Sequence, residues 1–376
     1  MTGRGYEPFV VYFADADDDG ALDQWGLVDN QGSWFAWGAP SATMRFTPDP
    51  TLTSAFVAAC PMSVSALDFN RDGHTDWFLS GTSRRNMLLR GGGPRALHDV
   101  SGRAGVRGAG DAFSWGSYAF DVDLDGWVDV IAAQQSPDPP AMDPRDIALW
   151  VNQRDGVFDD WGPEVVGART TALGLACGDL SGDGRVGCLA QTDGGAMVLR
   201  SRVEPEGRWV GLRFAPTVSA SAAGATVTLE GASPPVVQRV DAQVSVYGHH
   251  DPGLVLAAGD RERVDLTVTW PSGLVQRLSD VATNGYVTAT EPEALTLSTR
   301  VAPADGASRV EVRVAGGGDA VTIAREGDGA WEGDAVTGDD GVTRRALVAP
   351  TRAGKARVTV TIGGAALRVR PVVRFQ

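Results

Sequence analysis

Asp121-Val122-Asp123-Leu124-Asp125-Gly126-Trp127-Val128-Asp129 sets oxygen side chains at alternate positions, turns the chain at a glycine and closes on a further carboxylate. Three other stretches follow the same plan: Asp15-Ala16-Asp17-Asp18-Asp19-Gly20-Ala21-Leu22-Asp23, Asp68-Phe69-Asn70-Arg71-Asp72-Gly73-His74-Thr75-Asp76 and Asp179-Leu180-Ser181-Gly182-Asp183-Gly184-Arg185-Val186-Gly187. Their starts lie 53, 53 and 58 residues apart. Oxygen donors so spaced wrap a hard cation that wants six to eight ligands at about 2.3–2.6 Å, and Ca²⁺ meets that description. The predicted ligands are Asp15, Asp17, Asp19 and Asp23; Asp68, Asn70, Asp72 and Asp76; Asp121, Asp123, Asp125 and Asp129; and Asp179, Ser181 and Asp183. The fourth loop has Gly187 in place of the closing carboxylate and Ser181 in place of Asp or Asn, so it should bind weakest, leaving three strong sites.

An EF-hand starts the same way but needs a bidentate Glu at its twelfth position. That position holds Gly26, Leu79, Ala132 and Ala190. The flanks are short apolar runs such as Val64-Ser65-Ala66-Leu67 and Trp77-Phe78-Leu79-Ser80, which read as strands. Each loop is therefore expected to join two strands. A period of about 50 residues built from short strands is the mark of a propeller, one four-stranded blade per repeat.

These loops resemble the FG-GAP or VCBS repeats of integrin-type β-propellers. Ser114-Trp115-Gly116 ahead of the third loop, Asn86-Met87-Leu88-Leu89 with His98-Asp99-Val100-Ser101-Gly102 after the second, and Ile147-Ala148-Leu149-Trp150-Val151-Asn152 after the third are similar to the cartilage-acidic-protein branch. Downstream, Arg208-Trp209-Val210-Gly211-Leu212, Gly224-Ala225-Thr226, Val268-Thr269-Trp270-Pro271-Ser272-Gly273 and Asn284-Gly285-Tyr286 resemble an ASPIC/UnbV domain. Beyond Glu291-Pro292, the period-2 runs Arg309–Val314 and Ala356–Ile362 look like a bacterial immunoglobulin-like repeat. The implied fold is all-β: a propeller of about four blades at 1–203, a β-rich ASPIC/UnbV domain at 204–293 and an Ig-like sandwich at 294–376. Family propellers usually have about seven blades, so four loops imply either a four-bladed ring or a partial one.

A formal charge of -14 argues against nucleic acid or an anionic membrane as partner, since both demand clustered Lys and Arg. Neither an 18-residue apolar run nor a charged-then-apolar start is present. Calcium loops of modest affinity fill at extracellular calcium levels, which favours an exported protein over a cytoplasmic biosynthetic enzyme. Cys177 and Cys188 flank the fourth loop, and a disulfide and two buried thiols are both open to them. Cys60 reads as core.

His249 and His250, adjacent in an extended segment, point to opposite faces and are poor joint metal ligands. Trp34, Trp37, Trp115 and Trp127 read as packing between blades ahead of a ligand surface. Two functions remain. One is a non-enzymatic calcium-binding recognition or adhesion protein for a protein, carbohydrate or small-molecule ligand. The other, implied by the UnbV resemblance, is a natural-product cyclase or isomerase. A narrow central channel filled by inner-strand side chains would send a ligand to a face of the ring, or to a cleft carrying Trp209, His249, His250 and Trp270.

Overall fold

The computed structural model describes residues 8–28, 32–39, 45–82, 85–108, 113–135, 147–162, 172–217, 219–240, 243–292, 295–315, 321–337, 342–362, 365–366 and 372–376. Strands dominate, as expected. The chain forms two compact units, one of Met1–Arg213, Thr226–Leu266 and Leu278–Val287, the other of Phe214–Ala225, Thr267–Arg277 and Thr288–Gln376.

The first unit contains four antiparallel sheets whose strands follow chain order. The first sheet runs Pro8–Ala14, Asp23–Val28, Trp34–Trp37 and Thr47–Pro48; the second, Ser63–Leu67, Asp76–Ser80, Met87–Gly91 and Leu97–Asp99. The third comprises Phe113–Phe120, Asp129–Gln135, Ile147–Asn152 and Phe158–Asp160, and the fourth only Ala172–Gly178, Gly187–Thr192 and Gly195–Arg200. In every sheet the acidic loop joins the first strand to the second, with Ala14 opposite Asp23, Leu67 opposite Asp76, Phe120 opposite Asp129 and Gly178 opposite Gly187.

These strands read as continuous apolar runs because both of their faces are covered. Trp25, Leu27, Phe35, Val64, Trp77 and Leu79 share a core between the first and second sheets. Phe78, Leu88, Val130, Ala132, Ala148 and Trp150 do so between the second and third. Tyr118, Ile131, Leu149, Leu175, Cys177 and Cys188 do so between the third and fourth. Among the described residues, no core cluster joins the fourth sheet back to the first. Trp25, Trp77 and Trp150 are fully buried, so the packing role expected of tryptophan falls chiefly on these three, with Trp37, and less on Trp34, Trp115 and Trp127, which are only half-buried.

Three features depart from the sequence reading. A helix, Pro50–Ala59, follows the first sheet; Asp49 caps it by accepting from the Thr51 and Leu52 amides, and Leu52, Phe56 and Ala59 face the core. Cys60 is not core: it is half-buried and ends that helix in the left-handed conformation, φ 47°. Finally, the first-strand edges of three sheets meet a downstream segment. Gln243–Ser245 pairs with Ser63–Leu67, the Gln243 amide exchanges hydrogen bonds with the Ala119 backbone at 2.6 and 3.0 Å, and the Asp251 amide donates to the Cys177 carbonyl at 2.8 Å. Gly116, Gly174 and Gly248 make room for this passage; a Cβ at Gly174 would lie 2.3 Å from the Tyr247 carbonyl oxygen.

The segment 208–290 adds two sheets, ordered Leu254–Gly259, Arg208–Ala215, Gly285–Thr290 and Val236–Arg239, Thr226–Leu229, Arg263–Thr269, Val275–Ala282. Arg263–Thr269 alternates buried and exposed residues, the pattern of a strand with one wet face. In the second unit, Leu295–Leu297, Arg309–Ala315, Val342–Val348 and Ala330–Thr337 form one sheet, and Val301–Ala302, Val372–Phe375, Gly354–Ile362 and Val321–Gly327 another. Val310, Leu347, Ala356, Val373 and Phe375 lie in their common core. Glu291, 1% exposed, binds this unit's turns together, accepting from the Thr217 and Ser219 amides and from the Ser219 and Ser272 hydroxyls at 2.7–3.0 Å. That gives the Ser of the Trp-Pro-Ser-Gly string a structural role.

Candidate metal centre

Each loop is built around its first aspartate, which accepts the amide of the turning glycine: Gly20 to Asp15 at 2.9 Å, Gly73 to Asp68 at 3.0 Å, Gly126 to Asp121 at 2.8 Å and Gly184 to Asp179 at 2.7 Å. The glycines have φ between 83° and 92°, and the residues at the fourth loop position, Asp18, Arg71, Leu124 and Gly182, are also left-handed at 54–73°. Two left-handed residues within one loop curl the chain so that alternate carboxylates converge.

In the first loop Asp15, Asp17 and Asp19 each bring an oxygen within 4.8 Å of the others, and in the third Asp121, Asp123 and Asp129 do the same. The second and fourth loops give no such carboxylate triplet among the described residues. Asn70 stands at the third position of the second loop, donating to Asp72 at 2.9 Å, and Arg90 pairs with Asp72 at 2.9 Å. The fourth has Ser181 and Gly187. Asp125 of the third loop is held by Arg154 at 2.6 Å.

The closing aspartate does more than the sequence suggested. Asp23 accepts from Ala16 and Gly38, both at 2.7 Å; Asp76 from Phe69 at 3.0 Å and Gly91 at 2.8 Å; Asp129 from Val122 and Asn152, both at 2.8 Å. It therefore fastens the loop's second residue to the end of the sheet's third strand. Asn152, which the ligand search did not single out, extends the fastening by donating to the Phe69 carbonyl of the preceding loop at 2.8 Å.

Burial pushes these carboxyls up, Asp23 to about 7, Asp68 to about 6 and Asp76 to about 8. Burial, with neighbouring carboxylates, likewise raises Asp121, Asp123 and Asp129. In the first and third loops the donor set is all oxygen and clustered, and a divalent hard cation fits it. Asp179 goes the other way: burial raises it, but the Tyr286 hydroxyl, donating at 2.7 Å, and the Gly184, Gly182 and Ser181 amides outweigh that and lower it.

The expected ligand cleft is corrected. Trp209, His250 and Trp270 are buried, leaving only His249 exposed. His250 lies against Tyr118, ring centroids 4.4 Å apart, and accepts the Cys177 amide at 3.2 Å. Cys177 and Cys188, directly paired across the hairpin, form a disulfide. A hollow of about 310 Å³ lies on the fourth sheet, lined in part by Ala176, Leu189, Gln191 and Tyr247. Among the described residues, no helix is long and apolar enough to cross a membrane.

Residues 121–186 match the family described as FG-GAP-like repeat, and residues 216–296 that described as ASPIC and UnbV. No curated protein matches significantly. Similar solved structures include BBS1N in complex with ARL6DN (10% identity, 93% of this chain and 94% of that one covered, TM-score 0.31) and invasin, a bacterial integrin-binding protein (11%, 70% and 59%, TM-score 0.20). The ICAM-5 D1-D4 ectodomain fragment is a third (15%, 66% and 72%, TM-score 0.19). At these scores the structural likenesses carry no argument. The chain thus contains an FG-GAP-like repeat and an ASPIC/UnbV segment, joined to a strand-rich C-terminal part.

Proposed function

We propose that this chain is a calcium-binding, non-enzymatic recognition or adhesion protein. Its four sheets are read as blades of an open propeller at 1–203, followed by an ASPIC/UnbV domain at 204–293 and an Ig-like sandwich at 294–376. The observation that carries the reading is the convergence of three carboxylates in the first loop and three in the third, on a turn geometry that all four loops repeat, which a bound Ca²⁺ would neutralise. Asp15, Asp17, Asp19 and Asp23, Asp68, Asn70, Asp72 and Asp76, and Asp121, Asp123, Asp125 and Asp129 hold the three strong sites. Asp179, Ser181 and Asp183 form a weak or empty fourth. The metal's part is to rigidify.

The partner is a protein, a carbohydrate or a small molecule, and the Cys177–Cys188 disulfide supports an extracytoplasmic location. Calorimetric titration of the chelator-stripped chain tests the reading. Saturation at three equivalents of Ca²⁺ supports it, and no heat of binding, or preference for a transition metal, overturns it.

A further inference from the structure

We infer that the calcium loops are also the seam on which the downstream part of the first unit, residues 204–213, 226–266 and 278–287, docks, so that cation occupancy controls how firmly this part is held. The inference rests on the calcium reading above. What carries it is the left-handed fourth residue of the first three loops, Asp18, Arg71 and Leu124, each of which contacts the downstream segment.

In the first loop Asp18 accepts from Arg239 and from the Thr75 amide and hydroxyl, at 3.0 and 2.9 Å, tying the first two loops to the strand Val236–Arg239. In the second, Arg71 donates to the Pro234 carbonyl and lies 5.1 Å over the Trp127 ring of the third loop. In the third, Leu124 is 3% exposed in a cluster with Trp209 and Ala257, and the Asp123 carbonyl accepts the Glu206 amide at 2.7 Å. The fourth loop is met by Tyr286, whose hydroxyl reaches Asp179 and whose ring carries Arg213 at 4.7 Å. Trp209 packs against its turn so closely that a Cβ at Gly184 would lie 2.3 Å from the indole.

All four loops thus meet the same segment, through an ion pair, a carbonyl, an apolar contact and a tyrosine. In three of them the docking residue sits between ligand candidates, so its backbone angle is set by the same curl that a cation would lock. In the fourth a protein hydroxyl satisfies the first aspartate, and docking needs no ion. Ligation and docking therefore share one backbone conformation, which is the physical requirement for coupled binding.

The test uses the full chain. Amide hydrogen exchange is followed at 208–212, 234–239 and 254–257 with Ca²⁺ and with EGTA, with 356–360 of the second unit as internal control, alongside calorimetry with Ca²⁺ alone. Calcium is expected to slow exchange in the first three segments by about tenfold and to leave 356–360 unchanged. Coupling is reciprocal, so Leu124→Ala, which touches no carboxylate, should weaken calcium binding by about fivefold, and Trp209→Phe should shift it the same way. Wild-type chain that binds calcium while its seam exchanges equally fast in EGTA, or variants within about twofold of wild-type affinity, overturn this inference alone. Wild-type chain that binds no calcium overturns the metal reading and this inference with it.

Discussion

The third and fourth loops share a first half, Asp-x-Asp/Ser-x-Asp-Gly, and differ in what completes them. In the third, Asp129 closes the loop, accepts the Val122 and Asn152 amides and lies in a cluster of carboxyls whose protonation burial raises. In the fourth, Gly187 stands where Asp129 would be; a Cβ there would lie 2.7 Å from the Leu199 carbonyl oxygen, and Asp179 is satisfied by Tyr286 instead. Among the described residues the third sheet has a fourth strand and the fourth sheet has none. One missing carboxylate thus goes with a lost fastening to the sheet's third strand and with an aspartate that needs no ion. A repeat can keep its turn while a side chain from far along the chain takes up an oxygen of its first aspartate.

The largest test of this contrast is metal removal. Each site that binds only the folded chain stabilises it by about 2.7 kcal/mol at a hundredfold excess over Kd. Three such sites should make the chain more stable to urea in Ca²⁺ than in EGTA by about 8 kcal/mol, and equal midpoints would break the distinction between the loops. Next is the fastening itself. Asp129→Ala strands two buried amides and should cost about 4 kcal/mol even in EGTA. Gly187→Asp should add no calcium equivalent and should lower the melting temperature, because the carbonyl of Leu199 blocks the new side chain. A fourth equivalent of calcium in that variant would show that only the sequence, and not the packing, had emptied the site.

A smaller effect is expected beside the fourth loop. Burial, with His249 adding to it, lowers His250 to about 4, while the unfolded chain titrates near 6.5. The unfolded state therefore binds more protons between these values. His250 contributes stability that is full above about pH 6.5 and is lost as pH falls toward 4, by about 3 kcal/mol. His250→Gln should flatten that part of the urea stability profile between pH 4 and 6.5, and an unchanged slope would refute the assignment. The smallest effect is that of Tyr286→Phe, which should cost about 2 kcal/mol by removing a hydrogen bond to a charged group. It should leave the calcium stoichiometry at three.

The loops, their place between paired strands and the all-β class were legible because their determinants are local. Alternate oxygens, a glycine at positive φ and short apolar runs act within about ten residues of one another. The helix Pro50–Ala59 has a local start signal in Asp49-Pro50, but its low amphipathic contrast, with Leu52, Phe56 and Ala59 buried among small and polar residues, does not stand out between strongly patterned strands. Cys60 was read as core because cysteine usually is, whereas here backbone geometry at a helix end fixes its place.

By itself, the sequence determined four acidic turns, the strands beside them, the missing closing carboxylate of the fourth turn and the net acidic balance. Only the tertiary structure decided that the closing aspartates fasten the third strands, that Gln243–Asp251 lines the first-strand edges of three sheets, and that Arg239, Pro234, Trp209 and Tyr286 meet the loops. The physical reason is range. A turn is chosen by steric and hydrogen-bond preferences of neighbours in the chain, whereas a partner for Asp18 or Asp179 lies 221 or 107 residues away and is selected only when packing brings it there.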